Sequence, residues 1–197
     1  MKNMEEYNDK IFEDIKYYQQ ELSGTEFYDC IFKGCDFSET FFRRCRFYNC
    51  SFDNCNLSVM RVAECHFSDV TFENSKLIGI NWTEGAWSSI KIDFPINFEE
   101  CILDNSIFFG LNLNKIKIER CMARNVDFRE ADLSKGNLAF SNLAGSMFHQ
   151  TNLSEVNLTH TKNYEIDMRH NNIEKAKFTM PEAMSLLYHL DIEIIED

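Results

Sequence analysis

The chain has 197 residues, 26% of them charged, and a formal net charge of −12. Its length admits one domain or two. No apolar run reaches the roughly 18 residues of a membrane-spanning helix, and the deficit of Lys and Arg argues against direct binding of nucleic acid phosphates. Two prolines and seven glycines leave little material for disordered linkers.

At the N-terminus Met4, Tyr7, Ile11, Ile15, Tyr18 and Leu22 recur at intervals of three and four. That spacing predicts an amphipathic cap helix over residues 1–21. The segment is acidic and interrupted, unlike a signal peptide, so a cytoplasmic protein with reduced thiols is expected.

From Leu22 onward every fifth residue is apolar. The series runs Phe27, Phe32, Phe37, Phe42, Phe47, Phe52, Leu57, Val62, Phe67, Phe72, Leu77, Trp82, Trp87 and Ile92. A one-residue slip near 93–97, around Pro95, interrupts it. The series resumes through Phe98, Leu103, Phe108, Leu113, Ile118, Ala123, Phe128, Leu133, Leu138, Leu143, Phe148, Leu153 and Leu158 to Phe178. A helix repeats its buried face every 3.6 residues and a strand every 2, so a period of five fits neither. It requires a coiling backbone that turns a corner once per quintet. With four quintets per coil, residues 22–180 make one all-β domain of about eight stacked coils, on the order of 38 Å long at the usual strand spacing.

All eight cysteines stand two residues before a central apolar residue. Cys30 and Cys50, Cys35 and Cys55, Cys45 and Cys65, and Cys101 and Cys121 are separated by twenty, one layer apart in such a stack. Parallel side chains on successive layers suit neither a disulfide nor a converging zinc site, so these positions are expected to be reduced core packing. Trp82 and Trp87 are expected in the core as well. The five histidines are scattered and no glycine-rich phosphate loop is present. Neither a catalytic constellation nor a metal or cofactor site is expected.

Counting the slip as a one-residue bulge, the wall of Phe27, Phe47, Phe67, Trp87, Phe108, Phe128 and Phe148 carries Glu26, Asp29, Asp69, Asp127, Glu130 and Asp167. This is the candidate partner-binding acidic face. Ordinary solvated charge is the alternative. Arg43, Arg44, Arg120 and Arg124 are candidates for contacts to an acidic partner or for internal charge balance.

In the tail, 181–197, Pro181 is placed to start a short helix over 182–189, followed by a brief strand over 191–195. Leu186, Leu187, Leu190, Ile192 and Ile194 either cover the last coil or meet the same segment of a second chain, and the homodimer is the favoured reading.

The runs CDFSE, CRFYN, CSFDN, CNLSV, VDFRE, ADLSK, GNLAF, SNLAG, TNLSE and VNLTH resemble the pentapeptide-repeat family. The resemblance implies a right-handed quadrilateral β-helix. The stretch KLIGINWTEGAWSSIKIDFPINFEEC and the ending FTMPEAMSLLYHLDIEIIED are similar to the Qnr-type and microcin-immunity branch. That similarity implies a non-enzymatic, dimeric protein that binds DNA gyrase or topoisomerase IV and protects it from quinolone or peptide-toxin poisons, with the negative rod imitating DNA. A single-residue slip in place of the projecting loops of some members favours action by the rod itself. A scaffold solenoid for another protein partner, and an immunity protein that binds a toxin directly, are the alternatives.

Overall fold

Buried backbone groups must find partners, and in a coil each finds them on the coils before and after it. The computed structural model describes residues 5–87, 96–193 and 195. Glu6–Asn8 (β1) pairs in parallel with Glu26–Tyr28, that strand with Arg46–Tyr48, and that in turn with His66–Ser68. Ile11–Glu13 (β2) opens a wall that continues through Ile31–Lys33, Ser51–Asp53, Val70–Glu73 and Ile96–Glu99 to Ile118–Glu119. Glu21–Ser23 (β3) opens another through Phe41–Arg43 to Arg61–Ala63. The fourth wall consists of single bridges, beginning Lys16 to Asp36 to Asn56 to Lys76. The result is a four-walled β-solenoid of about eight turns.

The N-terminal helix expected over 1–21 is replaced, in residues 5–21, by β1, β2, the bridge at Lys16 and the start of β3. Tyr7, Phe12 and Tyr17 already stand in the five-residue phase. Tyr7 stacks on Phe27 at 5.4 Å and Phe12 on Phe32 at 4.9 Å. Ile11, Ile15 and Tyr18, which completed the helical spacing, are exposed. A short helix gains little from its own backbone bonds, whereas a coil laid on an existing edge pairs immediately.

The slip is also larger than one residue. Val70 pairs with Ile96, and Lys76 bridges to Ile102, an offset of 26 where other coils use 20. Trp82 stacks on Phe108 at 5.8 Å, while Phe67 still stacks on Trp87 at 6.0 Å. Six residues beyond one coil therefore intervene between Trp87 and Phe98, largely over 88–95, outside the described residues. The contrast with loop-bearing relatives falls with this correction.

The central side chains fill the axis. Every described member of the five-residue series from Phe27 to Leu158 is buried except Trp87, which is partly buried, and Phe32 stacks on Phe52 at 4.4 Å. Such aromatic pairs contribute about 0.5–1.5 kcal/mol each beyond area burial. The position two residues earlier also points inward, and in many quintets it carries a small side chain that donates a hydrogen bond; in others it is apolar, as at Met60, Val70, Ile116 and Val126. Cys50 Sγ lies 3.5 Å from the Phe27 carbonyl and 3.3 Å from that of Tyr48. Ser141 and Thr151 hydroxyls reach the Ile118 and Phe128 carbonyls at 2.7 and 2.9 Å. At Gly136 even a Cβ fails to fit, since it would lie 2.8 Å from the Leu133 carbonyl.

Corners are made by the residue two past the centre, which adopts a left-handed conformation in nearly every quintet. In many quintets the corner closes as a turn, as where Met60 N–H donates to the Leu57 carbonyl at 3.2 Å. Asn, Asp and Gly tolerate this conformation; Val59, at φ 59°, does not, because its branched β-carbon crowds the backbone. Val59 is 54% exposed and gives up little packing when replaced. Val59→Asn is expected to stabilise the protein by about 1 kcal/mol, read as a higher urea midpoint.

Candidate interaction surfaces

Because Phe108 stands on Trp82, the column Phe108, Phe128, Phe148 belongs to the wall of Leu22, Phe42 and Val62, not to that of Phe27. The predicted acidic face is thereby split. Glu26, Asp29 and Asp69 flank the Phe27 column, whereas Asp127, Glu130 and Asp167 lie on the adjoining wall.

Several of these carboxylates are also occupied within the rod. Arg46 Nη1 lies 2.8 Å from Glu26, which is itself buried and accepts a hydrogen bond from the Tyr28 hydroxyl. Asn49 donates to Asp29 at 2.5 Å. Arg129 grips Asp127 with two hydrogen bonds of 2.9 and 2.7 Å and holds its carboxyl below the usual range. Arg169, with His170, does the same at Asp167.

The correct register moves the acidity to a corner. Asp9, Asp29 and Asp69 occupy the left-handed positions where the Phe27 wall turns into the Phe32 wall. Beside them, on the Phe32 wall, Asp53, Glu73, Glu99 and Glu119 follow one another directly in register, with Glu13 and Lys33 earlier in the same column. Like charges facing each other on adjacent strands cost stability. One cation, Arg120, spans Glu99, Glu100 and Glu119. The other arginines singled out mostly balance charge internally. Arg124 binds Asp104, and Arg44 lies 3.5 Å from Glu64.

Outward apolar groups form small ledges. Tyr28 and Tyr48 stack at 4.9 Å, Arg61 covers the Phe41 ring at 4.6 Å, and Phe140, 55% exposed, stacks on His160 at 4.8 Å. Asparagines just before the central residue form ladders missed in the sequence reading. Asn157 donates to Asn137 at 3.0 Å, while Asn137 Oδ1 accepts the Ala139 N–H at 3.2 Å.

The tail makes its short helix, Glu182–Leu187, as a 3-10 turn. Leu186 is buried in its own chain's core, so it serves the cap. Leu187 and Leu190 are partly buried, and Ile192 is exposed. The strand expected over 191–195 is not formed by its described residues, and Ile194 lies outside them. Glu182 accepts the Asn163 N–H at 2.6 Å and Thr179 accepts that of His160 at 2.6 Å, closing the last coil. Among the described residues no group of three His, Cys, Asp or Glu is placed to hold a metal ion. No described helix is long and apolar enough to cross a membrane.

Two family models match the sequence, a pentapeptide repeat region over residues 25–93 and pentapeptide repeats in eight copies over 124–161. Together they span more than half of the residues. The chain belongs to the pentapeptide-repeat family. No curated protein matches the sequence. Among solved structures, two trypsin-treated variants of QnrB1, a plasmid-mediated fluoroquinolone resistance protein, are similar. One has a TM-score of 0.60 at 19% identity, covering 98% of this chain and 92% of that one. The other has a TM-score of 0.64 at 16% identity, covering 96% and 100%. HetL from the cyanobacterium Nostoc, involved in heterocyst differentiation regulation, gives a TM-score of 0.50 at 14% identity, covering 86% and 85%. At these identities the likeness is one of fold.

The eight cysteines are free and buried, and burial pushes the Cys50 and Cys55 thiols up to about 12. Cys50 and Cys55 therefore stay protonated at neutral pH, and the packed core shields all eight from a reagent in solution, where only a thiolate attacks. A disulfide-exchange reagent at pH 8 is expected to label none in the folded protein and all eight in denaturant.

Proposed function

We propose that this prism is a non-catalytic, cytoplasmic protein that binds a bacterial type II topoisomerase, DNA gyrase or topoisomerase IV, and protects it from quinolone or peptide-toxin poisons. The observation that carries the reading is the match to QnrB1 over nearly the whole length, 98% of this chain. The acidic corner gives it a physical basis. A rod with an in-register line of carboxylates on one wall and aspartates at its corner, and a length near one turn of DNA, presents a protein groove with the charge sign of a duplex. The axis is filled by stacked side chains, so partners are met on the outside.

The C-terminal segment is the proposed dimer contact, through Leu187, Leu190, Ile192 and Ile194, while Leu186 is buried in its own chain. One self-complementary apolar patch suffices for twofold association. A second reading, a scaffold for a regulatory protein partner, is favoured by the fold likeness to HetL, which covers 86% of this chain.

Gyrase supercoiling in the presence of a fluoroquinolone tests the first reading. Added protein is expected to restore supercoiling, and the triple change Asp69→Lys, Glu73→Lys, Glu99→Lys to lower its potency about tenfold with the circular dichroism unchanged. Absence of binding to any gyrase or topoisomerase IV subunit would leave the scaffold reading. Leu187→Asp is expected to turn a dimer into a monomer by light scattering; a wild-type monomer at micromolar concentration would refute the dimer.

A further inference from the structure

The two ends of the prism differ. At the C-terminal end Leu186 is buried and Glu182 and Thr179 satisfy backbone N–H groups. At the N-terminal end β1, β2 and β3 are each the last strand of their sheet, and Lys16 ends the fourth wall.

Later coils show what this end offers. The N–H before each central residue donates to the preceding coil, as Glu26 to the Glu5 carbonyl at 3.0 Å, Ile31 to Lys10 at 2.8 Å and Phe41 to Gln20 at 2.8 Å. The N–H groups of Glu6, Ile11, Lys16 and Glu21 hold the same place with no coil before them among the described residues. The carbonyls of Asn8, Glu13, Tyr18 and Ser23 are equivalent to those of Tyr28, Lys33, Ser38 and Arg43, which accept from the preceding coil. Four donors and four acceptors thus point outward around the square. Inside them Tyr7, Phe12, Tyr17 and Leu22 are only partly buried, while Phe27, Phe32, Phe37 and Phe42 one coil further in are buried. An open cleft of about 1000 Å³ lies at one corner of this end, between Tyr17, Leu22, Glu21 and Arg44.

Charge selects the occupant. The coil carries Glu5, Glu6, Asp9, Glu13, Asp14 and Glu21 against Lys10 and Lys16. The same end of a second copy would meet acid with acid, and the C-terminal turn, with Glu182, Asp191 and Glu193, is acidic too. Such charges on an edge prevent self-pairing. They attract a strand of opposite sign.

We propose that the N-terminal end of the prism docks an extended, basic segment of a partner protein, laid on β1, β2 and Lys16 as a further quintet or two. Its backbone pairs with the walls it covers, its apolar residues lie over the partly buried central side chains there, such as Phe12 and Tyr17, and its lysines or arginines meet the acidic rim. This is edge augmentation, in which main-chain bonds give affinity and alternate side chains give selectivity. The proposal is independent of the topoisomerase reading.

The probe is a fluorescent ten-residue peptide of two quintets, each with a central phenylalanine and lysines at its outward positions. Its control carries glutamate in place of lysine. In the free protein the amides of Ile11 and Lys16 are expected to exchange with deuterium almost unhindered, and the lysine peptide to protect them about tenfold, less so at high salt. The variant Glu13→Lys, Asp14→Lys, Glu21→Lys should keep the protection of the Phe47 and Phe67 amides yet bind the peptide about tenfold more weakly. Protection already present in a dilute monomer would mean that the chain covers its own end. Protection that grows with protein concentration would mean a second copy. Either result, or equal binding or no binding of the two peptides, overturns the proposal.

Discussion

The architecture depends on how the small inward residue serves the carbonyl of the large one. Each quintet sends two side chains to the axis, and the carbonyl of the central residue lies at a corner where ladder pairing is incomplete. The smaller side chain of the following coil donates to it, as Cys30 to Tyr7 at 3.4 Å, Thr40 to Tyr17 at 2.6 Å, Ser106 to Leu77 at 2.9 Å and Ser146 to Ala123 at 2.6 Å. A buried acceptor left without a donor costs roughly 1–3 kcal/mol, and the corner recurs four times per coil. Side chains without a donor also occupy this position, among them Met60, Val70, Ile116 and Val126. Ala131 and Gly136 stand over closed turns, where the carbonyls of Phe108 and Leu113 receive the backbone N–H of Leu111 at 3.2 Å and of Ile116 at 3.0 Å instead.

The thiols follow from the same requirement. In the first coils the axis is lined by phenylalanine, and a sulfur atom fills the space between flat rings while donating weakly. In later coils leucine replaces phenylalanine on three walls, and Ser141, Ser146 and Thr161 take over. Cysteine in this chain is a packing and hydrogen-bonding residue whose burial suppresses its chemistry.

The repeat, the inward positions and the burial of all eight cysteines were legible because they depend only on position within five residues. Walls depend on position within twenty, and there the reading failed. A slip of one and an insertion of six leave the same phase modulo five, so Phe108 was assigned to the column of Trp87 when it stands on Trp82. Tyr7, Phe12 and Tyr17 were in phase and visible, yet a competing three-and-four spacing at Ile11, Ile15 and Tyr18 suggested a helix. Those side chains turn out to be exposed, because a coil edge offers backbone partners that a single helix lacks. Nothing in the five-residue pattern alone marks the asparagine before the central residue as structural. Its carbonyl closes the turn and its amide joins the coil below, which explains why GNLAF, SNLAG, TNLSE and VNLTH carry it.

The insertion matters beyond bookkeeping, since it decides which charges meet. With one extra residue, every quintet from Phe98 onward would sit a quarter turn away, and Glu99 and Glu119 would leave the column of Asp53 and Glu73. With six extra residues the Phe32 wall runs unbroken from Ser51–Asp53 through Val70–Glu73 and Ile96–Glu99 to Ile118–Glu119. The column is unfavourable for the fold, because four carboxylates face one another across successive strands and Arg120 serves only the later ones. A stack free to place any residue there, as it places Ser51, Thr71 and Asn97 at the other outward site of the same strands, gains no stability from acids. What the column supplies is a line of outward negative charge, repeating at the strand spacing beside Asp29 and Asp69, that keeps the wall solvated and sets the sign of whatever can approach it.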